Sequence, residues 1–375
     1  MKRARLFALA MLLPLLAPLG ATGQRAPVQG QAGPPHFSFD ADLEGWMSPN
    51  DTGLLSICTE LDGVKVGEGS LQFDYTPLGG EMAAIAAGPL ALSQAQSLSF
   101  WLKCTETTVF AIALAEADED EYVLPVFVPA DQWVRVEAAF SDFRLSEEDV
   151  DENGRLDPNE VAACFLVDVA CFLLAEGEEA QFLFPYMSDL PRIMWMDDLV
   201  FSSDPVVPHR GPRDLAGERQ VLLDDFQGGF LRWLPVQQGD PQVAAEGYVS
   251  LEYELGKAQV PLAGLITMTS GEGLENAVAV HVRVGAEHDL KLGLTIEERG
   301  DARYMAPVDV PGGEWQDVRV PLADFNLDDE TTDDNGTLDP GQMKMFGLVD
   351  LGALLGGYTG PQRLLVDEVA FVLGN

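Results

Sequence analysis

"LSFWLKC", residues 98–104, alternates without a break. In an extended chain Leu98, Phe100, Leu102 and Cys104 fall on one side, while Trp101 and Lys103 fall on the other. A period of two predicts a half-buried β-strand and excludes an amphipathic helix. "VAVHVRV" (278–284) reads the same way, with Val278, Val280, Val282 and Val284 inward and His281 and Arg283 outward. These two strands belong to a longer parallel. "FDADLEGW" (39–46) matches "FQGGFLRW" (226–233), and "LQFDY" (71–75) matches "VSLEY" (249–253). "DQWVRVEAAFSDFRL" (131–145) matches "GEWQDVRVPLADFNL" (313–327), and "MWMDDLVF" (194–201) matches "LLVDEVAF" (364–371). From Tyr122/Tyr304 to Asp168/Asp350 the offset holds at 182 residues.

So many ordered matches mean an internal duplication. Each copy is a run of short alternating strands, and the expected fold is all-β: two tandem antiparallel β-sandwich domains of jelly-roll type. The expected boundaries are 36–203 for repeat one and 220–375 for repeat two. Between them "SSDPVVPHRGPRDLAGER" reads as a proline-rich linker over 204–219.

The N-terminus reads as an export leader over 1–23. Lys2, Arg3 and Arg5 precede an apolar run from Leu6 to about Leu19. Ala21 and Gly23 then sit like the last small residues before a signal-peptidase cut. The run is too short to span a bilayer, and a loose stretch over 24–35 follows it. The expected location is therefore secreted, extracellular or periplasmic, with no membrane span once the leader is gone. The chain carries 61 acidic and 22 basic residues, a net charge of −39. Such a field repels nucleic acid and anionic membrane surfaces, while it tolerates divalent cations and neutral ligands.

The aromatic first strand, the middle "W..V" run ending in "DF.L", and the closing "DDLVF"/"DEVAF" strand occur together in one group. The chain resembles the galactose-binding-like sandwiches, nearest to family eleven carbohydrate-binding modules and the complex I intermediate-associated domain. The resemblance covers both repeats. It implies a sheet face that binds polysaccharide or cell-surface glycan, and structural calcium. Beside that resemblance, the rival expectation is a structural surface protein whose repeats bind protein partners.

"DVDENGRLDPNE" (149–160) fits a calcium loop of EF-hand type. Such a loop needs oxygen ligands at positions 1, 3, 5, 7, 9 and 12 and a glycine at 6. Asp149, Asp151, Asn153, the Arg155 carbonyl, Asp157 and Glu160 fill them, and Gly154 makes the turn. Its neighbours are strands, so the loop is a graft between strands, and Ca2+ would fold an otherwise long acidic segment. The second copy, "TTDDNGTLDPGQ" (331–342), keeps Asp333, Asn335, Thr337 and Asp339 but has Thr331 and Gln342 at positions 1 and 12. It is expected to bind weakly or not at all.

For a sugar face, outward aromatics and polar neighbours are the candidates. Trp101, Lys103, Tyr122 and Asp168 are expected to share a face in repeat one. His281, Arg283, Tyr304 and Asp350 are taken as their counterparts. No nucleophile elbow, zinc-protease, P-loop or paired-cysteine motif is present, and no carboxylate pair stands out for glycoside hydrolysis. The expectation is a non-enzyme, with a glycosidase-like activity as the weaker alternative. Cys58, Cys104, Cys164 and Cys171 all lie in repeat one. An even count in an exported chain suggests two disulfides. Their alignment with Val284, Phe346 and Ala353, for the last three, suggests buried thiols instead.

Overall fold

The computed structural model describes residues 33–374, apart from 118–119, 147–154, 216, 238, 258–261, 270 and 334. The expected leader lies outside the described residues. Apart from Phe182–Pro185, the described residues divide into two compact units at Pro208/His209.

Unit one holds β1 (His36–Phe37), β2 (Gly53–Cys58), β3 (Ser70–Tyr75), β4 (Ala84–Ala87), β5 (Ser97–Cys104) and β6 (Thr108–Glu116). Then come β7 (Glu121–Val128), β8 (Val134–Ala139), β9 (Arg144–Leu145), β10 (Val161–Asp168), the short helices α1 (Ala170–Ala175) and α2 (Glu178–Leu183), and β11 (Arg192–Ser202). Its first sheet has the order β2-β3-β11-β5-β8, with β1 also on β11, and its second is β4-β10-β6-β7-β9.

Unit two holds β12 (Gly211–Leu215), β13 (Glu218–Asp224), β14 (Leu234–Gln237), β15 (Asp240–Val243), β16 (Val249–Glu254), β17 (Ala263–Met268) and β18 (Ala277–Ala286). They are followed by β19 (Leu290–Glu298), β20 (Arg303–Val310), β21 (Trp315–Pro321), β22 (Asn326–Leu327), β23 (Met343–Asp350), α3 (Gly352–Leu355) and β24 (Pro361–Leu373). Here the first sheet runs β12-β13-β24-β16-β15, with β18 joining β24 to β21, and the second runs β14-β17-β23-β19-β20-β22. The fold is all-β, with antiparallel sheets packed face to face in each unit. The stretch read as linker over 204–219 contains β12, which forms a hairpin with β13. Pro212 fits there because β12 is an edge strand, where a missing N–H costs nothing.

The alternating residues pack as their period demands. Leu98, Phe100, Leu102 and Cys104 are buried, and so are Val280, Val282 and Val284. Val278 is not: a register shift between Ala277 and Ala279 turns it outward, and it is 48% exposed. The two aromatic openings each fill a core. Trp46 packs edge-on against Phe37 and Phe39 at 5.9 and 6.3 Å, and Trp233 packs tilted against Phe226 at 5.7 Å and edge-on against Phe346 at 6.1 Å. Each such ring buried is worth ~1.5–3 kcal/mol or more of transfer free energy.

Pairing also fixes the alignment of the repeats. Trp101 faces Arg135 across β5 and β8, and Arg283 faces Asp317 across β18 and β21. The 182-residue offset therefore runs through these strands, so Trp101 corresponds to Arg283, Lys103 to Gly285, and Cys104 to Ala286. The sequence match of Trp101 with His281, and of Lys103 with Arg283, is displaced by two residues. All four cysteines are free and buried. Burial pushes the Cys104 thiol up to about 12, which suits a small apolar filler rather than a reactive thiol.

Candidate functional site

The outward face of the first sheet in unit one gathers aromatic and cationic side chains. Gln72, Trp195 and Lys103 form one cross-strand row on β3, β11 and β5, and Asp197, Trp101 and Arg135 form the next on β11, β5 and β8. Period two places the three aromatic and basic residues of β11 and β5 outward together. The Trp195 indole N–H donates to Gln72 Oε1 at 3.1 Å. Lys103 Nζ sits 5.1 Å from the Trp195 ring centre and donates to the Asp62 carbonyl at 3.0 Å. Lys65 Nζ and the Arg135 guanidinium lie 4.5 and 5.6 Å from the Trp101 ring.

Tyr122 and Asp168 do not join this face. Both are on the second sheet and point into the sandwich; Tyr122 is buried, and Asp168 has no exposed surface. Asp168 accepts from Tyr75 Oη at 2.6 Å, Thr108 Oγ1 at 2.7 Å and the Ala170 N–H at 2.9 Å, and it pairs with Arg192 at 3.1 Å. Tyr75 stands on the opposite sheet, so this is a bolt through the core. Asp350 repeats it more simply: it accepts from Tyr253 Oη at 2.8 Å and from the Gly352 N–H at 2.6 Å. Burial pushes the Asp350 carboxyl up. The sequence expectation put these aspartates on outward sugar-binding faces, as polar neighbours of the aromatics. Here a phenol and backbone amides make burial affordable.

In unit two, His281 and Arg283 are outward but committed to carboxylates. His281 Nδ1 lies 3.2 Å from Glu368, and Arg283 pairs with Asp367 at 3.0 Å. Tyr304 is buried near the acidic loop, and its hydroxyl donates to Asp333 Oδ2 at 2.5 Å. It positions that loop and does not belong to a sheet face with His281.

The two acidic loops share a scaffold. In repeat one Glu116 Oε1 accepts from the Asp157 N–H at 2.5 Å, the Ala117 N–H donates to the Glu160 carbonyl at 2.8 Å, and the Glu160 N–H to the Asp157 carbonyl at 2.9 Å. In repeat two Glu298 Oε1 accepts from the Asp339 N–H. The Arg299 N–H donates to the Gln342 carbonyl at 2.8 Å, and the Gln342 N–H to the Asp339 carbonyl at 2.9 Å. A β-bulge lies beside each glutamate, between Val161 and Ala163 and between Glu297 and Glu298, and bulges of this kind re-aim neighbouring side chains. Asp149, Asp151 and Asn153 lie outside the described residues. Arg155 and Glu160 are exposed, and Asp157 is half-buried, its Oδ1 accepting from the Asn159 backbone and side-chain N–H groups. Those bonds hold the Asp157 carboxyl below its usual range.

In the second loop Asp333 and Asn335 both accept from the Thr337 N–H, at 2.8 and 2.7 Å. Gly336 adopts φ 66°, the left-handed turn that position 6 requires. Among the described residues, no three acidic, histidine or cysteine side chains come together in a metal-holding group.

Two features escaped the sequence reading. One is the Glu116/Glu298 pair on β6 and β19, signalled only by the same residue type at the same offset. The other is Trp315, exposed at the start of β21, with Trp133 at the equivalent place in repeat one.

The chain is similar in fold to the family 11 carbohydrate-binding module of a cellulosomal cellulase of Clostridium thermocellum, at 14% identity and a TM-score of 0.30, over 48% of this chain and 94% of that one. It is also similar to the tandem CBM22-1–CBM22-2 domain of Paenibacillus barcinonensis Xyn10C, at 10% identity and a TM-score of 0.29, over 92% of this chain and 99% of that one. An exo-β-agarase is a third, at 13% identity and a TM-score of 0.30, over 45% of this chain and 24% of that one. No protein-family model matches the chain, and no curated protein matches its sequence.

Proposed function

We propose that this is an exported, non-catalytic, calcium-stapled tandem β-sandwich that binds polysaccharide. The observation that supports binding is the outward aromatic on equivalent sheets of both repeats: Trp101 and Trp195 in the first, Trp315 in the second. Featureless outer faces would have favoured a purely structural protein. A ring on a flat sheet face offers its electron-rich surface to sugar C–H groups, and flanking Lys103, Gln72 and Arg135 offer hydroxyl partners. Export rests on the leader pattern at 1–23.

Calcium rests on the loop at 149–160. Asp149, Asp151, Asn153, the Arg155 carbonyl, Asp157 and Glu160 would hold the ion. It would neutralise the crowded carboxylates and fix the segment between β9 and β10. Glu116 already anchors the Asp157 end of that segment.

Affinity electrophoresis on neutral polysaccharides tests the binding, with and without chelator. Lys65 and Arg135 lie against Trp101, so a sugar there displaces cation–π contacts worth about 0.5–1 kcal/mol. Trp101→Ala should accordingly weaken retention by only about 1 kcal/mol, the net value of a stacking contact. Full retention by a folded Trp101→Ala protein would remove that ring from the site.

A further inference from the structure

We infer that repeat two carries its own saccharide subsite, a cleft on the outward face of its first sheet that takes a single neutral pyranose unit; the inference rests on the polysaccharide reading above. Leu365, Gly285 and Trp315 form one cross-strand row on β24, β18 and β21. Together with neighbouring residues they line a cleft of about 230 Å3. Drug-sized sites run to about 300–1,000 Å3, so this one has room for one ring.

The same row in repeat one is Trp195 and Lys103, with Trp133 as the counterpart of Trp315. There Lys103 reaches across to Asp62 and Trp195 fills the place of Leu365. Replacing lysine by glycine and tryptophan by leucine removes both fillers and leaves a floor. A Cβ built on Gly285 would stand 3.4 and 3.5 Å from two carbons of the Trp315 indole, so the ring leans directly over the glycine.

The wall is pre-set. Tyr248 packs edge-on against Trp315 at 5.7 Å, and the Arg283 guanidinium lies 5.5 Å from its ring. A ring held this way loses little freedom when a ligand arrives. The rim has hydrogen-bonding groups of both kinds. Glu287 and Glu314 accept, and Arg363 donates while its Nε pairs with Glu252 at 3.2 Å. That mixture suits hydroxyl groups around a ring whose C–H face lies on the indole. The two rim carboxylates, in a chain of net charge −39, oppose acidic sugars.

The test is a tryptophan-fluorescence titration of the full chain, with calcium present, against neutral β-linked gluco-, xylo- and mannohexaose and against hexagalacturonate. At least one neutral hexaose should bind, with hexagalacturonate at least tenfold weaker. Trp315→Ala and Gly285→Lys should each cost the neutral ligand tenfold or more. Leu365→Trp, which copies repeat one, should do the same in a protein whose melting is unchanged. If Trp101→Ala abolishes binding while Trp315→Ala and Gly285→Lys leave it intact, the subsite is overturned and the wider reading stands. Preference for hexagalacturonate also overturns the subsite. If no hexaose binds the unaltered chain, both fall.

Discussion

Lys103 on β5 and Gly285 on β18 occupy the same place in their sheets, yet one closes a cleft and the other leaves it open. The same contrast runs through the second sheets. On the face turned away from the core, repeat one presents Ala113, Ala115, Val123 and Phe165, all buried; repeat two presents Thr295, Glu297, Met305 and Gly347 at those positions. Glu297 there is ion-paired with buried Lys344 at 2.9 Å, and Lys344 has Ala162 as its counterpart. Inward positions agree far better. Both repeats keep an Asp–Tyr bond through the sandwich, an aromatic pair at the opening strand, and a strand glutamate under the acidic loop. Core positions are held by packing from every side, so few side chains fit them. At the outward positions the copies have gone separate ways, in side-chain size and in charge.

Four experiments would break or sharpen this comparison. The largest effect belongs to the core bolts. Asp168→Ala strands a fully buried Arg192 without its charge partner, and removal of one member of such a pair costs about 3–5 kcal/mol. Asp350→Ala leaves only a phenol and an amide short of an acceptor, for about 1–3 kcal/mol. Denaturant unfolding of the full chain should show unit one the more damaged; equal losses would mean that Arg192 finds another partner.

Calcium comes next. At a concentration about 100 times Kd, a site in the folded state alone adds about 2.7 kcal/mol. Scanning calorimetry should show the melting of unit one rising with calcium and falling with chelator, while unit two moves little. Asp157→Ala with Glu160→Ala should abolish the rise, and Asp333→Ala should not. Equal responses in the two units would refute the asymmetry drawn from Thr331 and Gln342.

A smaller effect is acid sensitivity. His281 and Arg213 beside Glu368 hold its carboxyl down to about 2, from 4.5. A carboxyl depressed in the folded state contributes stability that is present above its unfolded value and is lost as pH falls toward the folded one. Unit two should therefore weaken between about pH 4.5 and pH 2, and Glu368→Gln should flatten that part of the profile. In repeat one Asp198 takes the same position and meets His36 instead, at 2.7 Å, so Asp198→Asn serves as the matched control. An unaltered profile in Glu368→Gln would detach the ion pair from acid stability. The smallest effect is the loss of about 1 kcal/mol in binding expected of Trp101→Ala, against the tenfold or greater losses expected at Trp315.

The sequence by itself determined that the chain is two copies of an antiparallel sandwich. Alternation at 98–104 and 278–284 gave strands and their buried sides, and the constant offset from Tyr122 to Asp168 fixed most of the register between copies. It also marked the acidic loops, because a spacing of oxygen ligands around one glycine is a local pattern. It left the slip of two residues at Trp101 undetected. A shift by two keeps every inward residue inward, so alternation cannot sense it; only the pairing of Trp101 with Arg135 and of Arg283 with Asp317 does. Tertiary structure alone also turned Asp168 and Asp350 into core bolts, since their tyrosine partners come from another sheet more than ninety residues away. It alone opened the cleft at Trp315, because a glycine's empty space has meaning only when the strand beside it supplies a ring.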